Sequence, residues 1–284
     1  MPERPDLEHQ VPILARRLIG TTITGVRVRK PVVLRAPLGL EVLVGRTVRD
    51  VRRMGHFVVV TFDGEWDMVV HLMLAGRFSF ARAGQKDSGD LAVVWGLLGG
   101  GEGDEELRYR DDVQMGKVYL VPAGDLASVP GLLPVGIDVL GPAFTRERLG
   151  ELVKKRREQV KVFLKDKNTI DSFGSAYADE TLWEAGLHPK ATTSTLSREQ
   201  LDRLHAAMVK VLREAREEIA RRDPPLDEKV RDFLAVRNRG GEPCPRCGAK
   251  IRSAGVHGHD AFFCPVCQPD LGGKGALDWR SIGK

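Results

Sequence analysis

Along residues 1–19 the apolar positions Leu7, Val11, Leu14, Ala15 and Leu18 recur at helical spacing, and Asp6 stands where a helix cap would. Between residues 21 and 121 the texture changes. The runs TTITGVRVRK, FVVVTF, DMVVHLML and GKVYLV are short, rich in β-branched residues and separated by Gly or Asp turns. Several such strands with no helix between them predict an antiparallel sandwich or barrel. The stretch 99–104 (GGGEGD) predicts a hairpin turn or a loose loop. A connector rich in Pro and Gly follows at 130–142. Beyond it helical periodicity returns at 145–165, 176–186 and 197–222. Ser197 with Gln200 forms a capping box for the last of these helices, and Pro224-Pro225 ends it. No internal repeat interrupts this order.

A length of 284 residues suits two domains, or one domain with an appendage, and is ample for a hydrophobic core. The opening MPERPDLEHQ is charged at once, and no apolar run approaches the ~20 residues of a membrane helix. The expectation is a soluble cytoplasmic protein in a reducing compartment, with no membrane partner. Net charge is +5 and the sequence pI about 9.1. Basic residues concentrate at 46–53, 154–157 and 237–252. That distribution favours a polyanionic partner, although charge alone would equally solvate helix faces.

All four cysteines lie near the carboxyl end. Cys244 and Cys247 enclose Pro-Arg, Cys264 and Cys267 enclose Pro-Val, and 16 residues separate the pairs. Each Cys-x-x-Cys pair can offer two thiolates, and two pairs complete a tetrahedral Zn²⁺ site. The 16 intervening residues suffice for a β-hairpin. Four thiolates leave no open coordination position, so this zinc is expected to hold a fold and not to catalyse.

Five segments, taken in order, resemble the formamidopyrimidine-DNA glycosylase / endonuclease VIII family of base-excision repair enzymes. They are MPERPDLE at the start, HLMLAG at 71–76, RYRDDVQMG at 108–116, FLKDKNTIDSFGSAYADETLWEAGLHP at 163–189, and EPCPRCG with FFCPVCQ within 242–268. The resemblance runs from Met1 to Gln268. It implies an α+β fold: an N-terminal antiparallel β-sandwich with a flanking helix, a helical domain carrying a helix–two-turn–helix element, and a β-hairpin zinc finger. The corresponding boundaries are 1–130 for the catalytic sandwich, 131–144 for a linker, 145–234 for the helical domain, 235–269 for the finger and 270–284 for a flexible tail. Double-stranded DNA with damaged bases or abasic sites is the implied partner, met by a monomer on nucleoid DNA.

Methionine before proline is normally removed. Pro2 would then carry a secondary amine able to attack C1′ of a deoxyribose, expel the base and form an iminium. The iminium acidifies the C2′ proton, so strand scission can follow. Glu3 beside it could protonate the sugar ring oxygen, given a carboxyl pKa raised by burial. In the family, the residues matching Pro2 and Glu3 play these roles.

Elsewhere the chain departs from the family. His56 stands for a phosphate-binding lysine, Ser175 for an asparagine and His259 for an arginine on the finger. All three replacements are shorter or weaker donors. Leu74, Val113 and Met115 stand where a methionine, an arginine and a phenylalanine fill the gap left by a flipped base. Asp6 replaces a glutamate, and Arg4 a small or apolar residue. Lys154, Lys155, Arg156 and Arg157 suit either phosphate contacts or a solvated face. Arg246, Lys250 and Arg252 suit backbone contacts or simple solubility. His71 fits a hydrogen-bonded core or cleft position. His257 and His259 lie between the cysteine pairs but are not needed as ligands. Trp183 and Leu187 fit a helix core.

The reading that follows is a glycosylase with abasic-site lyase activity toward damaged, oxidised bases. Its alternative is a weakly catalytic or non-catalytic paralogue that recognises damaged or abasic DNA by shape. An RNA-binding zinc ribbon is a third reading, opposed by the family-like order of the motifs.

Overall fold

The computed structural model describes residues 1–99, 104–171, 173–256 and 258–270. Residues 100–103 of the turn expected at 99–104, and 271–284 of the tail expected at 270–284, lie outside the described residues. Helix α1 (Arg4–Leu18) leads into β1 (Thr22–Val28), β2 (Leu34–Arg35), β3 (Val48–Met54), β4 (Phe57–Phe62), β5 (Trp66–His71), β6 (Arg77–Arg82), β7 (Leu91–Leu98), β8 (Glu105–Arg110) and β9 (Lys117–Pro122). These strands form two sheets, ordered β1-β7-β8-β6 and β2-β9-β5-β4-β3. Every pairing is antiparallel except β2 with β9.

The strands β4 (FVVVTF) and β5 (WDMVVH) carry apolar residues on both faces, because their sheet is buried on both sides. Successive side chains alternate between faces. Val58, Val60, Met68, Val70, Val118 and Leu120 point into the sandwich, against Trp95, Leu97, Leu107 and Tyr109 of the other sheet and Leu7, Leu14 and Leu18 of α1. The alternate set, Phe57, Val59, Val69, Tyr119 and Val121, is covered by Val129 and Leu132. Each such side chain contributes about 1.5–3 kcal/mol when fully buried, so this sheet is the strongest element of the unit.

The chain divides into two compact units. The first is Met1–Pro134 with Arg216–Val230, and the second is Val135–Ala215 with the chain from Arg231. Two sequence expectations change accordingly. The stretch 216–230, expected within the helical domain, returns to the first unit. There Leu226 enters the sandwich core, Gln10 Nε2 donates to Leu226 O at 3.0 Å, and His9 Nε2 lies 3.0 Å from Pro224 O. Within 131–144, expected as a linker, the part from Val135 is packed into the second unit. Gly136 N donates to Lys167 O at 2.8 Å, Ile137 pairs with Ile170, and Val139 and Phe144 are core residues.

The second unit holds α2 (Arg146–Lys154), α3 (Val160–Lys165), α4 (Ser175–Ala185), most of α5 (Arg198–Arg222), and the hairpin β10 (Arg252–Val256) with β11 (His259–Phe263). The continuous helical pattern expected at 145–165 breaks between α2 and α3. There the chain runs extended: Val160 N donates to Ala191 O at 2.8 Å, and Thr193 N to Glu158 O at 2.8 Å. Cross-chain pairing thus outcompetes local helix propensity. Helix α5 starts as read: Ser197 Oγ accepts from Gln200 N at 3.2 Å, and Gln200 Oε1 from Ser197 N at 2.8 Å. No described helix is long and apolar enough to cross a membrane.

Candidate active site and nucleic-acid interface

Helix α1 begins at Arg4, three residues earlier than a cap at Asp6 would allow. Glu3 is the N-cap, Pro5 occupies the first turn where no backbone donor is needed, and Asp6 is the third helical residue of a capping box. Asp6 Oδ2 accepts the Glu3 backbone N–H at 2.7 Å. Pro2 is buried, and Glu3 is only 4% exposed. The two candidate catalytic residues therefore sit at a pinned helix start, out of bulk water.

His56 lies in the tight turn between β3 and β4, and it is 6% exposed. Its ring centroid is 6.4 Å from that of His71. His71 Nδ1 accepts from Met73 N at 3.0 Å, which leaves the ring proton of the neutral form on Nε2. The Phe57 ring meets His71 edge-on at 4.5 Å. His71 is therefore a hydrogen-bonded histidine, as its strand context implied.

Two loops present the candidate wedge residues. Residues 72–76, between β5 and β6, expose Leu74 at 56%; residues 111–116, between β8 and β9, expose Val113 at 51% and Met115 at 42%. The loops end on one buried group. A Cβ at Gly76 or at Gly116 would overlap the Tyr109 hydroxyl, so glycine alone fits at either place. Asp111, fully buried, organises the second loop: Oδ1 accepts from Gln114 N at 2.9 Å and Oδ2 from Gly116 N at 2.6 Å. Tyr109 Oη donates to Asp111 Oδ2 at 3.4 Å. Burial first, and then the Asp111 carboxylate, push the Tyr109 hydroxyl upward, so it keeps its proton and remains a donor. On the first loop, Lys229 Nζ donates to Leu74 O at 2.8 Å. Sequence reasoning found the exposed side chains but missed Asp111 and Lys229; the aspartate's place inside RYRDDVQMG was the available signal.

In the second unit Ser175 is the first residue of α4, after the N-cap Gly174. The positive end of that helix's dipole favours an anion. Lys154 ends α2, Lys155 caps it, and both are exposed. Arg157 is also exposed, but Arg156 is turned inward, with Nη2 at 2.6 Å from Asp166 Oδ2. Arg246 is likewise engaged: its guanidinium lies over the Trp183 ring at 4.1 Å and donates to Glu184 Oε2 at 3.0 Å. Lys250 and Arg252 are exposed. His259 opens β11 opposite Val256; its side chain, and His257 altogether, lie outside what is described.

A buried charge cluster, unforeseen from the sequence, anchors the hairpin. Lys161 Nζ sits 2.6 Å from Asp179 Oδ1, and Arg237 Nη1 2.8 Å from Asp179 Oδ2. Both cations also donate to Asp260 O in β11, at 2.7 and 3.1 Å. Glu180 accepts the backbone N–H groups of Ala235, Val236 and Arg237 at 2.7–2.9 Å.

The four cysteine sulfurs lie within 4.8 Å of one another, with Cys244–Cys267 at 3.9 Å and Cys247–Cys264 at 3.4 Å. A tetrahedral zinc with Zn–S of about 2.3 Å has S–S edges of about 3.8 Å, so the set fits one Zn²⁺. Trp183 Nε1 donates to Cys244 Sγ at 3.4 Å, tying α4 to this knuckle. Trp183 is thus part of the finger's packing as well as a helix residue, whereas Leu187 lies in the helical core.

Three family models match in succession: the formamidopyrimidine-DNA glycosylase N-terminal domain over residues 1–118, the formamidopyrimidine-DNA glycosylase H2TH domain over 135–222, and the zinc finger found in FPG and IleRS over 241–269. The formamidopyrimidine-DNA glycosylase of Exiguobacterium sibiricum is 34% identical over 279 residues, covering 94% of this chain and 99% of that protein. The chain belongs to the formamidopyrimidine-DNA glycosylase family. The family member from Brevibacillus brevis is 33% identical over 281 residues, with 94% and 99% covered. Among solved structures, a complex of wild-type Lactococcus lactis Fpg with DNA containing an oxidized pyrimidine superposes with a TM-score of 0.84 at 25% identity, over 95% of this chain and 100% of that one. In this glycosylase-family chain the H2TH match spans α2 to α5, and the finger match contains all four cysteines.

Proposed function

We propose that this chain is a base-excision DNA glycosylase with abasic-site lyase activity, using Pro2 as nucleophile and Glu3 as acid. What carries the reading is a Pro2-Glu3 start, pinned to α1 by Asp6, in a chain that matches a glycosylase of the family over 94% of its length. Removal of Met1 frees the Pro2 nitrogen. That amine bonds to C1′ of the damaged nucleotide and loses its proton to solvent, while the base departs with the electrons of the N-glycosidic bond. Glu3 gives its proton to the sugar ring oxygen, which opens the ring and leaves the iminium. Loss of the acidified C2′ proton then expels the 3′ phosphate and cuts the strand.

Oxidised bases are the proposed substrates, in line with the oxidized pyrimidine bound to the Lactococcus lactis relative. Zinc on the four cysteines holds the finger fold. Ser175 at the start of α4, exposed Lys154 and Lys155, His56 and His259 are the proposed phosphate contacts. Each lysine lost lowers the salt slope of binding by about 0.9. The enzyme is read as a monomer acting on cytoplasmic, nucleoid DNA, where a reducing environment keeps its thiols available to zinc. The test is strand nicking of an abasic-site duplex by the mature protein. Pro2→Gly should abolish it; unchanged nicking would refute the amine mechanism.

A further inference from the structure

The chain leaves the zinc knuckle past a cavity of about 300 Å³ that lies within the second unit. Leu187, Ala191 and Leu196 give it apolar walls, and His188, Lys190 and Asp270 place polar groups on it. Several ties set its frame. Gln268, fully buried, donates from Nε2 to Leu187 O at 2.8 Å, which joins the knuckle to the chain just after α4. His188 Nδ1 accepts from Lys190 N at 3.2 Å, and the Phe263 ring of β11 meets the His188 ring edge-on at 4.8 Å. Ala191 O accepts from Val160 N at 2.8 Å, and the capping box of Ser197 and Gln200 fixes the wall at the start of α5. A cavity framed this way is formed before any occupant arrives, as small binding sites usually are.

We propose that this cavity is the docking site of the chain's own carboxyl-terminal segment 271–284, with Trp279 as its anchor. Asp270, on the cavity, is also the residue from which that segment departs, and the matched finger segment ends one residue earlier, at 269. The segment reads LGGKGALDWRSIGK, with Trp279 its one aromatic side chain. A cavity of about 150 Å³ holds benzene, so the larger volume here suits a two-ring indole. Burying an aromatic side chain of that size removes about 150–250 Å² from water. Asp278 and Arg280 flank Trp279 and carry charges opposite to those of Lys190 and Asp270. Trp279 follows Asp270 by nine positions. A glycine-rich tether of that length spans about 15–18 Å root-mean-square, so the ring can return to where the tether starts. Its effective concentration there is about 1 mM. Docking therefore needs only a weak site: a Kd of about 1 mM for the free segment keeps the tethered one docked about half the time.

The test follows the backbone amide signals of Leu187, Ala191 and Leu196 by NMR in the full-length, zinc-loaded protein and in its Trp279→Ala variant. The proposal predicts that these signals differ between the two proteins, while amides of β4 and β5 do not. A synthetic peptide of residues 271–284, added to the variant, should return them to their wild-type positions with a Kd of about 1 mM or tighter. The same peptide with Ala in place of Trp should bind about 10-fold more weakly or worse. Identical signals in the two proteins, or a peptide that shifts nothing by about 10 mM, would overturn the proposal. Equal binding of the two peptides would overturn Trp279 as the anchor. Wild-type signals that move to the variant's positions on about 100-fold dilution would overturn docking within one chain and give the cavity to the tail of a second copy.

Discussion

The Glu3 backbone N–H donates to the Asp6 side chain at 2.7 Å, so the proposed catalytic carboxyl and its neighbouring nitrogen sit on a helix cap and not on a free chain end. The capping bond fixes the backbone direction from which Pro2 and Glu3 project. Asp6→Ala should lower unfolding stability by about 1 kcal/mol in urea titration. It should also slow nicking of abasic DNA by more than that loss of folded protein accounts for. Asp6→Asn keeps an acceptor and should retain most of both. Unchanged stability and rate in Asp6→Ala would show that the cap does not position the site.

Asp111 holds its loop through the backbone N–H groups of Gln114 and Gly116, which makes the hold directly visible to hydrogen exchange. The Gln114 and Gly116 amides should exchange slowly in the wild type and much faster in Asp111→Ala, while amides of β4 and β5 keep their protection. Slow exchange at both amides in the variant would mean that some other group sets the loop. The same variant should bind abasic DNA more weakly, because its wedge would pay an ordering cost on binding.

Lys161 and Asp179 form a pair that neither could leave alone. Burial pushes the Lys161 ammonium down and the Asp179 carboxyl up, and the mutual contact at 2.6 Å opposes both shifts. Removing one partner of such a pair costs about 3–5 kcal/mol. Arg237 still faces Asp179 at 2.8 Å, so Lys161→Ala should fall near the lower end of that range in chemical denaturation. Lys161→Met combined with Asp179→Leu should be milder than Asp179→Leu alone, which strands both Lys161 and Arg237. A double variant worse than Asp179→Leu alone would contradict this account.

Zinc removal should act on the finger first. The purified protein should hold one zinc per chain, released on thiol modification. Structural zinc contributes about 10–16 kcal/mol of apparent binding free energy in isolated fingers, so the hairpin β10–β11 should lose its ordered signals on chelation. DNA affinity should fall with it, while the β-sandwich remains folded. Full DNA affinity after verified zinc loss would remove the finger from the interface.

Sequence legibility followed how local each cause was. The cysteine spacing fixed a zinc site by itself, because four thiolates at that spacing satisfy one metal. The capping box at Ser197 and Gln200 and the apolar spacing of α1 were equally local, and both appear as read. The buried second face of the β4–β5 sheet was not legible, since Val129 and Leu132 reach it from about 60 residues downstream. The break between α2 and α3 was invisible for a similar reason: its partners, Ala191 and Thr193, lie some 30 residues away. Arg156 and Arg246 looked like free cations in sequence and are engaged by Asp166 and Glu184 in the fold. Asp111, Lys161 and Asp179 carry the buried polar ties, and no periodicity marks a charged residue as buried.

The central claim is that the nitrogen of Pro2 becomes covalently bonded to the sugar of a damaged nucleotide. Borohydride reduction of the mature protein mixed with an abasic-site duplex tests it most directly, with the amino terminus confirmed as Pro2 by mass spectrometry. The account predicts a protein–DNA adduct in the wild type, mapped to the first residue, and none in Pro2→Gly. An absent adduct alongside measurable binding to the same duplex would contradict it, and would make the chain a protein that recognises abasic DNA without this chemistry.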